Sequence, residues 1–201
     1  MIKYLILLST IFVLVFESPA QVGEWKLAKD KNEIKIYTRE RAGSDIKEFK
    51  AITMTTANME QLESHMLKVV EYPAWQANVT SSKILEQISP TEMYIYYTSD
   101  LPWPVGDRDV IAHCVRTADE KGSVTYTLYG TPDFIPMTEE FIRIPESLGS
   151  WQFIPESDGI VKIIYRFYGD PAGSLPAWVI NLYIVDGPYE TLMKLKERTE
   201  G

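Results

Sequence analysis

Cysteine is nearly absent. Cys114 is the single one, so the chain can form neither an intramolecular disulfide nor a thiolate metal cage. It lies among apolar residues of a strand-like run and reads as a small core hydrophobe rather than a nucleophile. Histidine is almost as scarce. His65 and His113 begin no metal-ligand spacing, so no metal site is expected. Positive charge is short too: 20 Lys and Arg against 28 Asp and Glu give a net charge of −8 and a pI near 4.9. That balance argues against nucleic acid as a partner, which selects basic surfaces, and against a polybasic membrane anchor. There is no P-loop, no glycine-rich dinucleotide fingerprint and no nucleophile elbow, so no cofactor is expected and nothing points to nucleophilic catalysis. Asp107 and Asp109 are paired carboxylates, but they flank Arg108. A neighbouring guanidinium favours the ionised carboxylate, which makes a poor general acid.

Long hydrophobic runs are missing except at the start. Lys3 precedes an apolar run from Tyr4 to Phe16, followed by Glu17, Ser18, Pro19 and Ala20. The run is short for a membrane span. Small residues at Ser18 and Ala20 suit a signal-peptidase cut before Gln21. Residues 1–20 are therefore expected to be a signal peptide and 21–201 one domain, exported to the periplasm or the exterior; an uncleaved anchor is the other reading. The chain of 201 residues shows no repeat, low-complexity tract or linker and is long enough for one substantial core.

What is present is strand pattern and aromatic surface. Trp25–Ala28 and Ile34–Arg39 flank a turn at Asp30-Lys31-Asn32, and Lys47–Thr53 alternates as their neighbour. Asn58-Met-Glu-Gln61 is a capping box, and Met59, Leu62, Met66 and Val69 recur at helical spacing, which predicts a helix over Met59–Glu71 stopped by Pro73. A short second helix is expected over Ala74–Asn78. Strands are expected at Ser81–Ile88, Glu92–Thr98, Asp109–Thr117, Ser123–Gly130, Glu139–Ile144, Ser150–Ile154 and Ile160–Tyr168. Hairpin-type connections between them imply an antiparallel sheet, and so an α+β fold. Ser174 and Pro176 suit the start of a long last helix. Trp178, Leu182, Val185, Tyr189 and Leu192 would share its apolar face, with a kink at Gly187-Pro188. It either packs on a solid core or covers a hollow one.

The segment Asp100–Ile111 joins two of these strands. Pro102 and Pro104 cannot donate to a ladder, Gly106 permits a turn, and Trp103 is held between the prolines. It reads either as a stiff loop with surface charges or as a rigid loop at the mouth of a cavity, with Arg108 held by Asp107 and Asp109. Thr131–Met137, with Phe134 and two prolines, is a second apolar loop of the same kind. Val110, Ala112 and Cys114 share one strand face and are small, which leaves room inside for a ligand. Twelve tyrosines, five tryptophans and seven phenylalanines can line a pocket and supply a few polar handles.

Pro102–Asp109 resembles the segment before the fifth strand of START domains, the lipid-transfer modules related to steroidogenic acute regulatory protein. Trp25-Lys-Leu-Ala, Ile34–Tyr37, Tyr72-Pro-Ala-Trp75, Ser82–Leu85, Asp170–Gly173 and Leu175–Asn181 are similar to the family's other landmarks. The resemblance covers about residues 23–198. It implies a helix-grip fold, with a curved antiparallel sheet wrapped around the C-terminal helix and a hydrophobic tunnel between them. It implies non-enzymatic binding and transfer of one hydrophobic small molecule or lipid. The apolar Trp103 and Phe134 loops supply the surface expected to make transient membrane contact during exchange. Ile95, Tyr97, Trp103, Val110, Ala112, Cys114, Phe134, Trp178, Leu182, Val185 and Tyr189 would line the tunnel. In sterol-binding members the tunnel holds a buried acid–arginine pair; its positions fall on Ile95 and Cys114 here, both uncharged, which puts such a ligand in doubt. A polyketide cyclase or aromatase on the same superfold is the enzymatic alternative. It would require a polar cluster in the cavity, for which the sequence offers tyrosines and Arg116.

Overall fold

Ten strands alternate with turn residues in the way the hydrophobic pattern dictates. The computed structural model describes residues 23–101, 103–104, 106–173 and 176–200; the expected signal peptide and the expected Ser174 cap lie outside them. The strands are β1 (Lys26–Lys31), β2 (Ile34–Arg41), β3 (Ser44–Thr55), β4 (Val79–Ser89), β5 (Glu92–Leu101), β6 (Gly106–Ala118), β7 (Val124–Gly130), β8 (Ile142–Arg143), β9 (Glu146–Pro155) and β10 (Val161–Asp170). They form one sheet in the order β1-β2-β3-β10-β9-β7-β6-β5-β4. All these pairings are antiparallel, and β8 adds a short parallel pairing to β6. Turn chemistry sets the hairpins: Asn32 and Asp158 take positive φ at the β1–β2 and β9–β10 connections, where Asn, Asp and Gly tolerate it best.

Between β3 and β4 the chain makes α1 (Met59–Leu67). Its capping box is formed: Asn58 Oδ1 accepts from the Gln61 amide at 2.9 Å and Gln61 Oε1 accepts from the Asn58 amide at 3.0 Å. The helix ends at Leu67 rather than Glu71. Lys68 leaves helical geometry, and Val69–Ala74 winds into a tighter 3₁₀ turn that contains Pro73. That turn replaces the second helix expected over Ala74–Asn78.

The C-terminal helix is two helices, α2 (Ala177–Tyr183) and α3 (Asp186–Glu200). The sequence predicts a kink at Gly187-Pro188, but the break falls at Ile184 and Val185. A continuing helix would drive the Pro188 ring into the Ile184 carbonyl. As the third residue of α3, Pro188 lacks only an N–H that would have no helical partner anyway.

The sheet curves around α1 and α3. On β6, Val110, Ala112 and Cys114 face that interior and join one core cluster with Leu62, Met66, Tyr72, Trp75, Leu192 and Leu195. Asp109, Ile111 and His113 face the other way, under the segment that follows β7. The expected loop Asp100–Ile111 is mostly strand: Leu101 pairs Gly106 and Asp107 pairs Asp100, so residues 102–105 alone connect β5 to β6. β3, β9 and β10 also run further than the pattern predicts, whereas β8 is only Ile142–Arg143 where Glu139–Ile144 is expected.

Candidate ligand cavity

A cavity of about 200 Å³ lies between one end of the sheet and the α2–α3 junction. Phe49 of β3 and Tyr165 and Phe167 of β10 form its floor. Ile180 of α2, Ile184 at the break and Pro188 of α3 cover it. The floor is built by pairing: Phe49 sits opposite Phe167 in register, and its ring meets Tyr165 edge-on at 4.9 Å. Aromatic pairs of this geometry give rigid apolar walls.

Few polar groups border it. Lys47 is the charged lining residue, and its ammonium lies 3.3 Å from Glu40. Thr191 Oγ1 is occupied, accepting from the Ala77 amide at 3.0 Å. Burial, with a smaller contribution from Tyr97, pushes the Tyr165 hydroxyl well above its ordinary range. It therefore stays neutral and able to donate.

The cover is held unevenly. α3 is tied to the β1–β2 hairpin: Lys29 Nζ meets Asp186 Oδ1 at 2.6 Å and lies over the Tyr189 ring, and Asn32 Nδ2 donates to Tyr189 Oη at 2.9 Å. α2 is tied to β3 by the side chain of Asn181. Asn181 Oδ1 accepts from the Lys47 amide and Asn181 Nδ2 donates to the Asp45 carbonyl, each at 3.0 Å. β3 runs past its last β10 partner at Phe49, and the Asn181 amide supplies there the acceptor and donor that a strand would.

None of the lining residues expected from the sequence borders this cavity. Ile95, Val110, Ala112 and Cys114 do face inward, as predicted, but they are buried in the packed core, where Tyr72 and Trp75 take up the space that small residues were expected to leave. Tyr97, Val185 and Tyr189 pack against that core. Trp178 and Leu182 are 67% and 62% exposed, and Trp103 is 88% exposed. The helix break explains the first two: a single 3.6-residue period was carried across Ile184–Val185, where the phase is reset. Phe134 stacks on Tyr94 at 3.9 Å, over the opposite face of the sheet. The lining residues Lys47, Phe49, Tyr165 and Phe167 had a signal in their strand alternation, but nothing local marks which end of an inward row stays empty.

Arg108 is also placed differently. It is buried, but its partners are carbonyls: Nε donates to Pro171 O at 2.5 Å and Nη1 to Asp107 O at 3.0 Å. Burial lowers its pKa, and the Asp107 charge opposes this. Asp109 instead receives Arg143. The inner face does hold an acid–arginine cluster, at Glu63 rather than at Ile95 and Cys114. Arg116 donates to both Glu63 oxygens at 2.5 and 3.0 Å, and Tyr126 Oη donates to Glu63 at 2.8 Å. None of the three borders the cavity.

A curved antiparallel sheet gripping a C-terminal helix, with an apolar cavity under a helical cover, defines the helix-grip class. The model of the START domain matches residues 13–198, and the chain belongs to that family. It is similar to the uncharacterized protein PA1579 of Pseudomonas aeruginosa, with 32% identity over 181 residues, covering 90% of this chain and 89% of that one. It is 24% identical over 173 residues to the phosphatidylcholine transfer protein of Rattus norvegicus, covering 82% and 79%. The crystal structure of a STAR-related lipid transfer protein from Xanthomonas axonopodis superposes with a TM-score of 0.81 and 30% identity, covering 88% of this chain and 99% of that one. The Zhui aromatase/cyclase from Streptomyces shares the fold alone, at a TM-score of 0.52 and 13% identity over 76% and 93%.

Proposed function

We propose that the protein is a non-enzymatic carrier that binds one hydrophobic molecule, a lipid or lipid-like amphiphile, beneath α2 and exchanges it with membranes. The observation that carries this reading is the apolar cavity beneath a short helix that the Asn181 amide ties to β3. Lipid-transfer relatives by sequence and structure support it. At about 200 Å³ the cavity is below the 300–1,000 Å³ usual for ligand pockets, and in this reading α2 lifts to enlarge it. A short helix end opens at lower cost than a paired sheet. Trp103, Trp178 and Leu182 are exposed beside this cover, and Tyr183 Oη reaches Trp103 O at 3.5 Å. They form the apolar surface that would meet a bilayer. The cyclase alternative needs an acid–base pair aimed at a substrate, and the Glu63–Arg116–Tyr126 cluster stands away from the cavity. Mass spectrometry of organic extracts from natively purified protein tests the reading. A recurrent lipid supports it; an empty protein that turns over a polyketide overturns it.

We also propose export. Residues 1–20 have the Lys3, apolar-run and Ala20 pattern of a signal peptide. N-terminal sequencing of the protein from its native host should begin at Gln21. Intact Met1 in the soluble cytosol overturns it.

A further inference from the structure

The cavity stops at the same level on three separate elements. On β10 the inward row Gly169, Phe167, Tyr165 borders it, whereas the next members, Ile163 and Val161, are buried in solid core. On β3, Lys47 and Phe49 border it and Ala51 and Thr53 do not. On α3, Gly187, Pro188 and Thr191 border it and Leu195 does not. At that level stand the rings that cross the interior. Tyr165 lies flat on Trp151, 3.9 Å apart and 9° from parallel, and the two are partners in register. Trp151 meets Trp75 edge-on at 5.4 Å, and Trp75 meets Tyr72 edge-on at 5.5 Å. Trp75, Trp151 and Tyr72 are almost wholly buried. Ring packing holds this wall: the Trp75 indole nitrogen is buried with no acceptor among the described residues.

We infer that this aromatic bulkhead is a ruler that limits the ligand to a single acyl chain of bounded length, with a carboxylate or similar anionic head left at the mouth beside Lys47. The inference rests on the carrier reading and gives it a ligand class. The inward row from Gly169 to Tyr165 spans about 13 Å of strand, which gives a chain a short run before it meets the Tyr165 and Trp151 rings. The charged group among the described lining residues is the cation Lys47, whose partner Glu40 is 60% exposed; an exposed pair of this kind is weak, so an anionic head can take the place of Glu40 and a cationic head finds no partner in the lining. A cavity of about 200 Å³ leaves little room for two chains side by side.

The test is displacement of a fluorescent fatty-acyl probe from the full mature protein by saturated fatty acids from octanoate to stearate. Phosphatidylcholine vesicles are run alongside. Each added methylene that finds apolar space should tighten binding about fourfold. The wild-type protein should show that rise and then a break where the chain meets Tyr165. Trp151→Ala should move the break to a longer chain, and phosphatidylcholine should not displace the probe. Trp151→Leu, which keeps apolar bulk but removes the ring, serves if the alanine variant fails to fold. An unbroken rise to stearate in the wild-type protein, a break unmoved in the folded variant, or displacement by phosphatidylcholine overturns the ruler and leaves the carrier reading standing. Failure of the wild-type protein to bind any chain overturns the ruler, and the carrier reading falls with it if organic extracts of the native protein also hold no lipid.

Discussion

Asp109 and Arg143 form a two-pronged ion pair sealed from solvent. Arg143 Nε and Nη2 each reach one oxygen of the Asp109 carboxylate at 2.8 Å. The remaining Arg143 donor bonds the carbonyls of Pro132 at 2.5 Å and Ile135 at 3.3 Å. Planar, two-bond geometry with further hydrogen bonds to carbonyls is the arrangement in which a buried pair holds against its desolvation cost. It fastens the long segment after β7 to the outer face of β6. Arg108, one residue away, faces the interior, and among the described residues its hydrogen bonds go to carbonyl oxygens.

These neighbours should respond differently to truncation. Arg143→Ala leaves the Asp109 carboxylate buried without its partner, at a cost of about 3–5 kcal/mol. Arg108→Ala strands no opposite charge but leaves the Pro171 and Asp107 carbonyls without their donor, at about 1–3 kcal/mol. Urea midpoints of the two variants measure the order. An Arg108→Ala loss equal to or larger than that of Arg143→Ala contradicts the assignment of partners.

The Glu63 cluster predicts an acid limb. The hydrogen bonds from Arg116 hold the Glu63 carboxyl below its ordinary value, against the opposing effect of burial, with Tyr126 adding to the lowering. A group whose folded pKa is depressed contributes stability that is fully present above its unfolded pKa, about 4.3. That contribution is lost as pH falls through the lower folded value. The stability gap between the wild-type protein and Glu63→Gln should therefore be constant near neutral pH and close below about pH 4.3. A gap that does not change between neutrality and the acid limb removes Glu63 as its source.

Local chemistry was legible where residues act on near neighbours. The Asn58–Gln61 capping box, the Asp158-Gly159 turn and the inward register of Val110, Ala112 and Cys114 need only a few adjacent side chains, and all three form as read. The START resemblance located the fold through matched segments spread along the chain. The site was harder because it depends on contacts far apart in sequence. Asp109 finds Arg143 through the β6–β8 pairing, which periodicity does not encode, so the adjacent Arg108 looked like its partner. The reset of helical phase at Ile184 moved Trp178 and Leu182 outward. This cavity lies where β3, β10, α2 and α3 converge, and no single segment reports that.

The Asn181 latch predicts faster exchange. Its two hydrogen bonds join α2 to a stretch of β3 that would otherwise be open to water, so losing them costs the closed state about 1 kcal/mol. Asn181→Leu should raise the exchange rate of a bound acyl probe about fivefold, with a change of global stability no larger than the lost bonds. Stopped-flow dilution into acceptor vesicles, with a urea titration alongside, reads both. An unchanged exchange rate in a folded variant means that α2 does not gate the cavity.

The strongest test of where the void lies is a pair of substitutions that add bulk at two inward sites. Ala112 is buried in the core cluster with Ile95 and Trp75. Ala77 borders the cavity, and its amide is already fixed by Thr191. A large ring at Ala112 must displace close-packed neighbours, and overpacking of that kind costs about 1–3 kcal/mol or more. The same bulk at Ala77 has empty space to enter, so it displaces little and gains apolar contacts. Ala112→Trp should therefore lower the urea midpoint markedly. Ala77→Phe should leave that midpoint near wild type while abolishing binding of the fluorescent fatty-acyl probe. Circular dichroism and probe titration on both variants separate loss of fold from loss of room. If Ala112→Trp folds normally and loses the probe while Ala77→Phe binds as before, the ligand occupies the middle of the sheet and not the space beneath α2.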